Sequence, residues 1–175
     1  MVAGCGGGFE QHGNPAPVPV TRMTSTILDG RAIADRIRAD LRRQLGGIAP
    51  APTLAILFFD APASQVYKQA QCAQAAALGI RTVEQACPLR VPQAEVERIL
   101  QRWNQDPAIH GVFVHQPMPP QIDPQRISAV IDPRKDIEGI HPQNSARRFF
   151  AKARIGSCTA LAVMALIEET GVALE

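Results

Sequence analysis

The sequence is short of most features that would announce a function at once. Charge of one sign is missing: 18 Lys and Arg against 16 Asp and Glu leave +2 over 175 residues. That removes the main reason to expect nucleic acid or an anionic membrane as partner. The four cysteines, Cys5, Cys72, Cys87 and Cys158, lie far apart and form no CxxC pair. Metal-ligand spacing is therefore absent, and a reduced, cytoplasmic chain is the simplest expectation. No apolar run reaches the ~18 residues that a membrane-spanning helix needs. No G-x-G-x-x-G turn follows a strand-like run, so no dinucleotide site is visible, and no internal repeat is seen. With 46% hydrophobic and 19% charged residues, what remains is an ordinary globular chain, long enough to bury one core.

Fifteen prolines and thirteen glycines fall mostly between periodic segments, where they act as punctuation. Residues 1–22, "MVAGCGGGFEQHGNPAPVPVTR", show neither helix nor strand period and lack the pattern of a signal peptide. They are expected to be a disordered leader or a start placed too early, outside a domain running from 23 to 175. Residues 27–45 carry Ile33, Ile37, Leu41 and Leu45 at intervals of four, an amphipathic helix. "TLAILFF" (53–59) suits a buried strand, and Asp60 or Ser64 is available to cap the alanine-rich helix that follows and stops at Gly79. Residues 80–87 form a second strand. Residues 92–105 form a helix with Val96, Ile99, Leu100 and Trp103 facing inward, and 110–116 a third strand. A short helix (124–130), a loop "DPRKDIEGIHPQN" and an apolar helix over "CTALAVMALIEETGV" complete the chain.

Alternating strands and helices predict an α/β domain: a small parallel sheet with crossover helices in three αβα layers. In such sheets ligands sit beyond the carboxyl ends of the strands. Residues 60–67, 115–120 and 136–141 are thereby expected around one mouth.

Four motifs in this order, "PASQVY", "GVFVHQPMPP", "DPRKDIEGIHPQN" and "SCTALAVMALIE", together with "LDGRAIADRIR", resemble a known family. They are similar to the folate-binding N-terminal domain of the bifunctional methylenetetrahydrofolate dehydrogenase/methenyltetrahydrofolate cyclohydrolases, over roughly residues 24–171. The resemblance implies a tetrahydrofolate derivative as substrate or ligand, and a homodimer. The family uses NAD or NADP through a following Rossmann domain, of which no motif is present. No cofactor is therefore expected on this chain itself, and hydride transfer is not expected of it alone.

By the same resemblance Tyr67 matches the tyrosine that packs on the folate rings, a sound role for an aromatic face. Read without the resemblance, it is a tyrosine capping the core at a helix start. Four residues on, the family places a lysine for cyclohydrolase proton transfer; here that residue is Gln71. Lys68 is no simple substitute, because one residue along a helix turns the side chain by about 100°. It reads as a solvated helix lysine. A neutral amide cannot carry a proton near pH 7, and losing a positioned proton carrier typically costs ~10²–10⁴-fold in rate. The family's "VQLPLP" becomes "VHQPMP". This puts His115 where a glutamine sets the lysine's environment, with Gln116 and Pro117 beside it. His115 is either a replacement acid–base group or a satisfied structural histidine. "KDIEG" offers Glu138 for the acid that binds the pterin edge, while Asp136 reads as structural. Cys72 and Cys158 read as small buried residues.

Three readings stay open: a folate enzyme with impaired or redirected activity using His115 and Glu138; a non-catalytic folate-binding or interaction module; and a truncated or decayed gene product.

Overall fold

The computed structural model describes residues 27–150 and 155–172; the expected leader, 1–22, lies outside them. Its elements run α1 (Gly30–Leu45), β1 (Thr53–Phe59), α2 (Pro62–Ala77), β2 (Arg81–Cys87), α3 (Gln93–Gln105), β3 (Gly111–Val114), α4 (Pro124–Val130), α5 (Pro142–Phe149) and α6 (Cys158–Glu168). The three strands are parallel in the order β2-β1-β3. β1 is central and carries apolar residues on both faces, as a strand covered on both sides requires. Beyond β3, Asp136 makes an isolated parallel bridge to Val112.

Strand alternation sorts the layers. Ala55, Leu57 and Phe59 of β1 and Val112 and Val114 of β3 face α3 and α4, in one buried cluster with Val96, Ile99, Leu100, Trp103 and Ile127. The four inward residues of α3 expected from its 3.6-residue period are all buried. Ile56 and Phe58 point to the opposite face. Over that face lies α2, closed at its end by Gly79 in a left-handed conformation (φ 75°). The result is the expected three-layer αβα arrangement.

Three expectations are corrected. The loop expected at 132–144 contains the start of α5, with Pro142 in its first turn and the His141 ring accepting from the Gln143 N–H. Neither Asp60 nor Ser64 caps α2; the N-cap is Ala61, and Pro62 follows with no N–H needing an acceptor. The stripe of α1 is only partly covered. Ile33 is buried, but Ile37 and Leu41 are exposed, because α1 lies at the rim, where Arg42 donates to the Ala77 carbonyl at the end of α2. α6, though apolar, buries none of its residues.

Candidate functional site

The helix that follows the central strand carries two side chains of the site. Tyr67 and Gln71 stand four residues apart on α2 and share one flank. His115 is the residue after β3, on the same sheet face as Phe113, because Val114 between them points into the α3 side. The two elements meet. The His115 Nε2 and Gln71 Oε1 atoms are 2.7 Å apart. The imidazole lies 5.2 Å from the Tyr67 ring, 5.4 Å edge-on to Phe113 and 6.1 Å from Phe58.

His115 is 1% exposed, and its Nδ1 is buried with no partner among the described residues. Burial pushes the His115 imidazole below its ordinary range, with a smaller push from the Lys68 cation. The ring is neutral at pH 7 and holds one proton. Placing that proton on Nε2 makes it donate to Gln71 Oε1 and leaves only a bare lone pair buried at Nδ1. Placing it on Nδ1 would bury an unpaired N–H, the rarer and costlier defect. The Nε2–H tautomer follows.

Tyr67 is 53% exposed, with its ring on the Phe113–His115 pair and its outer face open. From it a groove of about 340 Å³ runs along the flank of α2, lined by Leu54, Tyr67, Ala70, Gln71, Gln74 and Leu78, with Ala75 and Ile80 also on its wall. An adjoining hollow of about 240 Å³ shares Leu54 and Ile80 and extends to Gly111 and Ile137. The site therefore runs down from the mouth at the strand ends toward the start of β1. The apolar residues of that lower part were not picked out from the sequence. Nothing in the apolar run of β1 marks Leu54 apart, although it is the one position of the strand that is only partly buried.

Gln116 and Pro117 follow His115 directly; both are exposed, and the bond between them is cis. Glu138 sits on the loop after the Asp136 bridge, partly buried. Burial and the negative charge of Asp136 raise its carboxyl above the usual range. The described contacts join Tyr67, Gln71 and His115; none joins Glu138 to them. Asp136, by contrast, is fully buried and organises this loop. It accepts from the backbone N–H groups of Glu138 (3.2 Å), Ile140 (3.2 Å) and His141 (2.9 Å) and from the Asn144 amide (2.8 Å). In the same loop Gly139 has φ 68° and its carbonyl accepts from Arg148.

Lys68 points away from Gln71, as helical spacing requires, but it is not the solvated lysine expected. Its Nζ lies 2.7 Å from the Glu84 carboxylate on β2 and 5.1 Å from the Phe58 ring centroid, and only 17% of the side chain is exposed. Glu84 raises the Lys68 ammonium and is itself lowered by it, so both stay ionised near neutral pH. The cysteines are also corrected. Cys87 is buried, but Cys72 is partly exposed beside Glu84, and Cys158 is exposed at the start of α6.

Among the described residues no group of three or more His, Cys, Asp or Glu is placed to hold a metal ion, and no helix is long and apolar enough to cross a membrane. The first strand-to-helix turn, Asp60-Ala61-Pro62, has no glycine and loses an N–H at Pro62. It does not fit a dinucleotide pyrophosphate, which needs close backbone approach and free N–H groups.

A parallel α/β layer with an apolar groove beside its crossover helix, and a half-exposed tyrosine on the groove wall, defines an α/β domain with a concave surface of the kind in which small-molecule sites are commonly built. Comparison with known proteins makes this specific. The model of the family "tetrahydrofolate dehydrogenase/cyclohydrolase, catalytic domain" matches residues 28–138, and the chain belongs to that family. It is 38% identical over 155 residues to the bifunctional protein FolD 2 of Geobacter sulfurreducens, covering 86% of this chain and 54% of that protein. It is 33% identical over 159 residues to the bifunctional protein FolD of a Bradyrhizobium strain, covering 87% and 54%. Among solved structures it matches the Trypanosoma brucei methylenetetrahydrofolate dehydrogenase-cyclohydrolase, complexed with NADP cofactor and inhibitor. That match has a TM-score of 0.78 and 31% identity, covering 85% of this chain and 52% of that one. The Campylobacter jejuni enzyme FolD gives a TM-score of 0.79 at 28% identity, covering 83% and 54%. The chain thus spans about half the length of the relatives it matches.

Proposed function

We propose that this domain binds a reduced folate in the groove floored by Tyr67, and that its cyclohydrolase activity is impaired. The observation that carries this reading is the 2.7 Å contact between Gln71 and His115. Beside the one exposed aromatic ring of the groove stands a neutral amide tied to a neutral, buried imidazole. Neither group is an efficient proton carrier there: the amide does not titrate, and the imidazole has one nitrogen engaged and the other shut off from solvent. The family resemblance supplies the ligand class, and an open tyrosine face suits a flat heteroaromatic ring. Gln116, Pro117 and Glu138 belong to this reading as residues of the ligand site. Burial and the Asp136 charge raise the Glu138 carboxyl above its ordinary range, and a pair of N–H donors on the folate's polar edge would offset that cost.

The test follows the near-ultraviolet absorbance of 5,10-methenyltetrahydrofolate with the purified chain. Wild type is expected to stay close to the buffer rate, and Gln71→Lys to raise the rate well above it. Hydrolysis by wild type at the rate of Gln71→Lys would overturn the impairment. Absence of calorimetric heat with a reduced folate at sub-millimolar concentration would overturn the binding. The reading also includes a homodimer, supported by the exposed apolar residues of α6 and by Phe149 and Phe150, which stack edge to face in solvent. A monomeric sedimentation coefficient at tens of micromolar would remove it.

A further inference from the structure

We infer that His115 fixes the polarity of Gln71, so that the groove presents a hydrogen-bond donor, the Gln71 Nε2 amide, and selects ligands that place a neutral carbonyl oxygen against it. The inference rests on the folate reading above for its ligand class, but not for the donor itself.

An exposed glutamine is free to turn its amide over, offering oxygen or nitrogen as the ligand demands. Here that freedom is removed from behind. The neutral His115 ring is packed among Phe58, Tyr67 and Phe113 and presents Nε2–H to Gln71 Oε1. Turning the amide over would set two N–H groups against each other unless the imidazole proton moved to Nδ1. There it would be a buried donor with no acceptor among the described residues. With Oε1 held inward, the amide nitrogen lies on the other side of the side-chain carbon, and Gln71 is part of the groove wall. It has no hydrogen-bond partner among the described residues.

A carbonyl oxygen suits this nitrogen. The donor is neutral, so it adds no charge attraction for a carboxylate or phosphate, and the rest of the wall beside it is largely apolar. A folate carries neutral carbonyls in three places: on the fused ring, on the benzoyl amide and, when formylated, on the one-carbon unit. Any of the three satisfies the same donor. His115 is then a positioning residue: it touches Gln71 and acts on the ligand through it.

Two measurements test this. Nitrogen-15 spectra of histidine-labelled protein, with the His115 signals assigned by their loss in His115→Gln, are expected to show a pyrrole-type Nε2 and a pyridine-type Nδ1. A protonated Nδ1 overturns the inference whatever binds. Calorimetry then uses 10-formyl-5,8-dideazafolate and 5,8-dideazafolate. Gln71→Glu, which replaces the donor by a carboxylate of the same shape, is expected to weaken binding by roughly 5- to 10-fold or more, the worth of one hydrogen bond of about 1 kcal/mol or above. If only the formylated ligand is affected, the one-carbon carbonyl is the acceptor; if both are, it is a carbonyl the two ligands share, on the fused ring or the benzoyl amide. His115→Phe, which frees the amide to turn over but keeps its N–H groups, is expected to weaken binding by a smaller factor than Gln71→Glu, and His115→Gln, which keeps a donor toward Oε1, to recover it. Equal affinity of wild type and Gln71→Glu for both ligands overturns the donor while leaving the folate reading intact. Failure of both ligands to bind wild type overturns the folate reading and the ligand half of this one, with the nitrogen spectrum still deciding the donor.

Discussion

Helices α3 and α6 are both apolar along one face or more, yet they have opposite fates. Every apolar residue on the inner face of α3 is shut into the core, whereas α6 leaves Leu161, Val163 and Met164 in solvent. Composition does not explain this, because α6 is the more hydrophobic of the two sequences. The difference lies in partners. α3 has a sheet face to cover, and its period matches that face; α6 has α1 beside it, through Gly30–Leu166 and the Arg36–Glu169 pair, and no sheet beneath it. Hydrophobicity says that a surface is costly to leave wet, while topology decides whether anything arrives to cover it. The same contrast divides the sheet itself: the α3 face is closed, and the α2 face stays open along the groove.

The sharpest way to break this contrast is on the closed side. Leu100→Ala removes a fully buried side chain from the central cluster and is expected to cost roughly 2–5 kcal/mol in denaturant-induced unfolding. A loss below ~1 kcal/mol would mean that the α3 face is not the core. The seam between the faces comes next. Asp136→Ala strands three backbone N–H groups and the Asn144 amide. A cost of about 2–3 kcal/mol is expected, read in the same titration.

The open side is tested by acid. His115 is held below the ordinary 6.5 of a free imidazole by burial, so the unfolded chain takes up the proton first. Its stabilising contribution is complete above ~6.5 and lost as the pH falls through that value toward the folded one. The midpoint of unfolding should decline on acidification, with a flatter decline in His115→Gln. Glu138 has the opposite sign. Its raised carboxyl favours the protonated form, a contribution complete below ~4.3 and lost as the pH rises through the folded value. Glu138→Gln should therefore be more stable than wild type at neutral pH. A wild-type midpoint unchanged from pH 7.5 to 5.5, with no gain in Glu138→Gln, would mean that neither group is as desolvated as the fold implies. The smallest effect belongs to α6: at concentrations too low for two copies to associate, Leu161→Lys on an exposed face is expected to change stability by less than ~0.5 kcal/mol.

Much of this was legible in the chain. β1 falls on 53–59 as read, because an unbroken apolar run between Pro52 and Asp60 fits a strand buried on both sides. α3 was readable from its period. α5 was not, since its buried residue is Asn144, a polar side chain that hydrophobic periodicity passes over. α1 misled in the other direction: a regular stripe of Ile and Leu looks the same whether the helix lies over the sheet or at its rim. At the site, the i, i+4 relation of Tyr67 and Gln71 was visible. The bond from Gln71 to His115 spans 44 residues and Lys68 to Glu84 crosses from helix to strand. Both depend on how layers meet, which no local pattern encodes.

The Asp136 knot has one more consequence, in time rather than in space. Its backbone is bridged to Val112 in the sheet, while its carboxylate holds the amides of 138, 140 and 141. These amides cannot open one by one without losing a shared acceptor, so the loop that carries Glu138 should breathe as a unit with the edge of β3. In hydrogen exchange the amides of Glu138, Ile140 and His141 would then show one common opening free energy, close to that of Val112 and above that of the exposed helix α6.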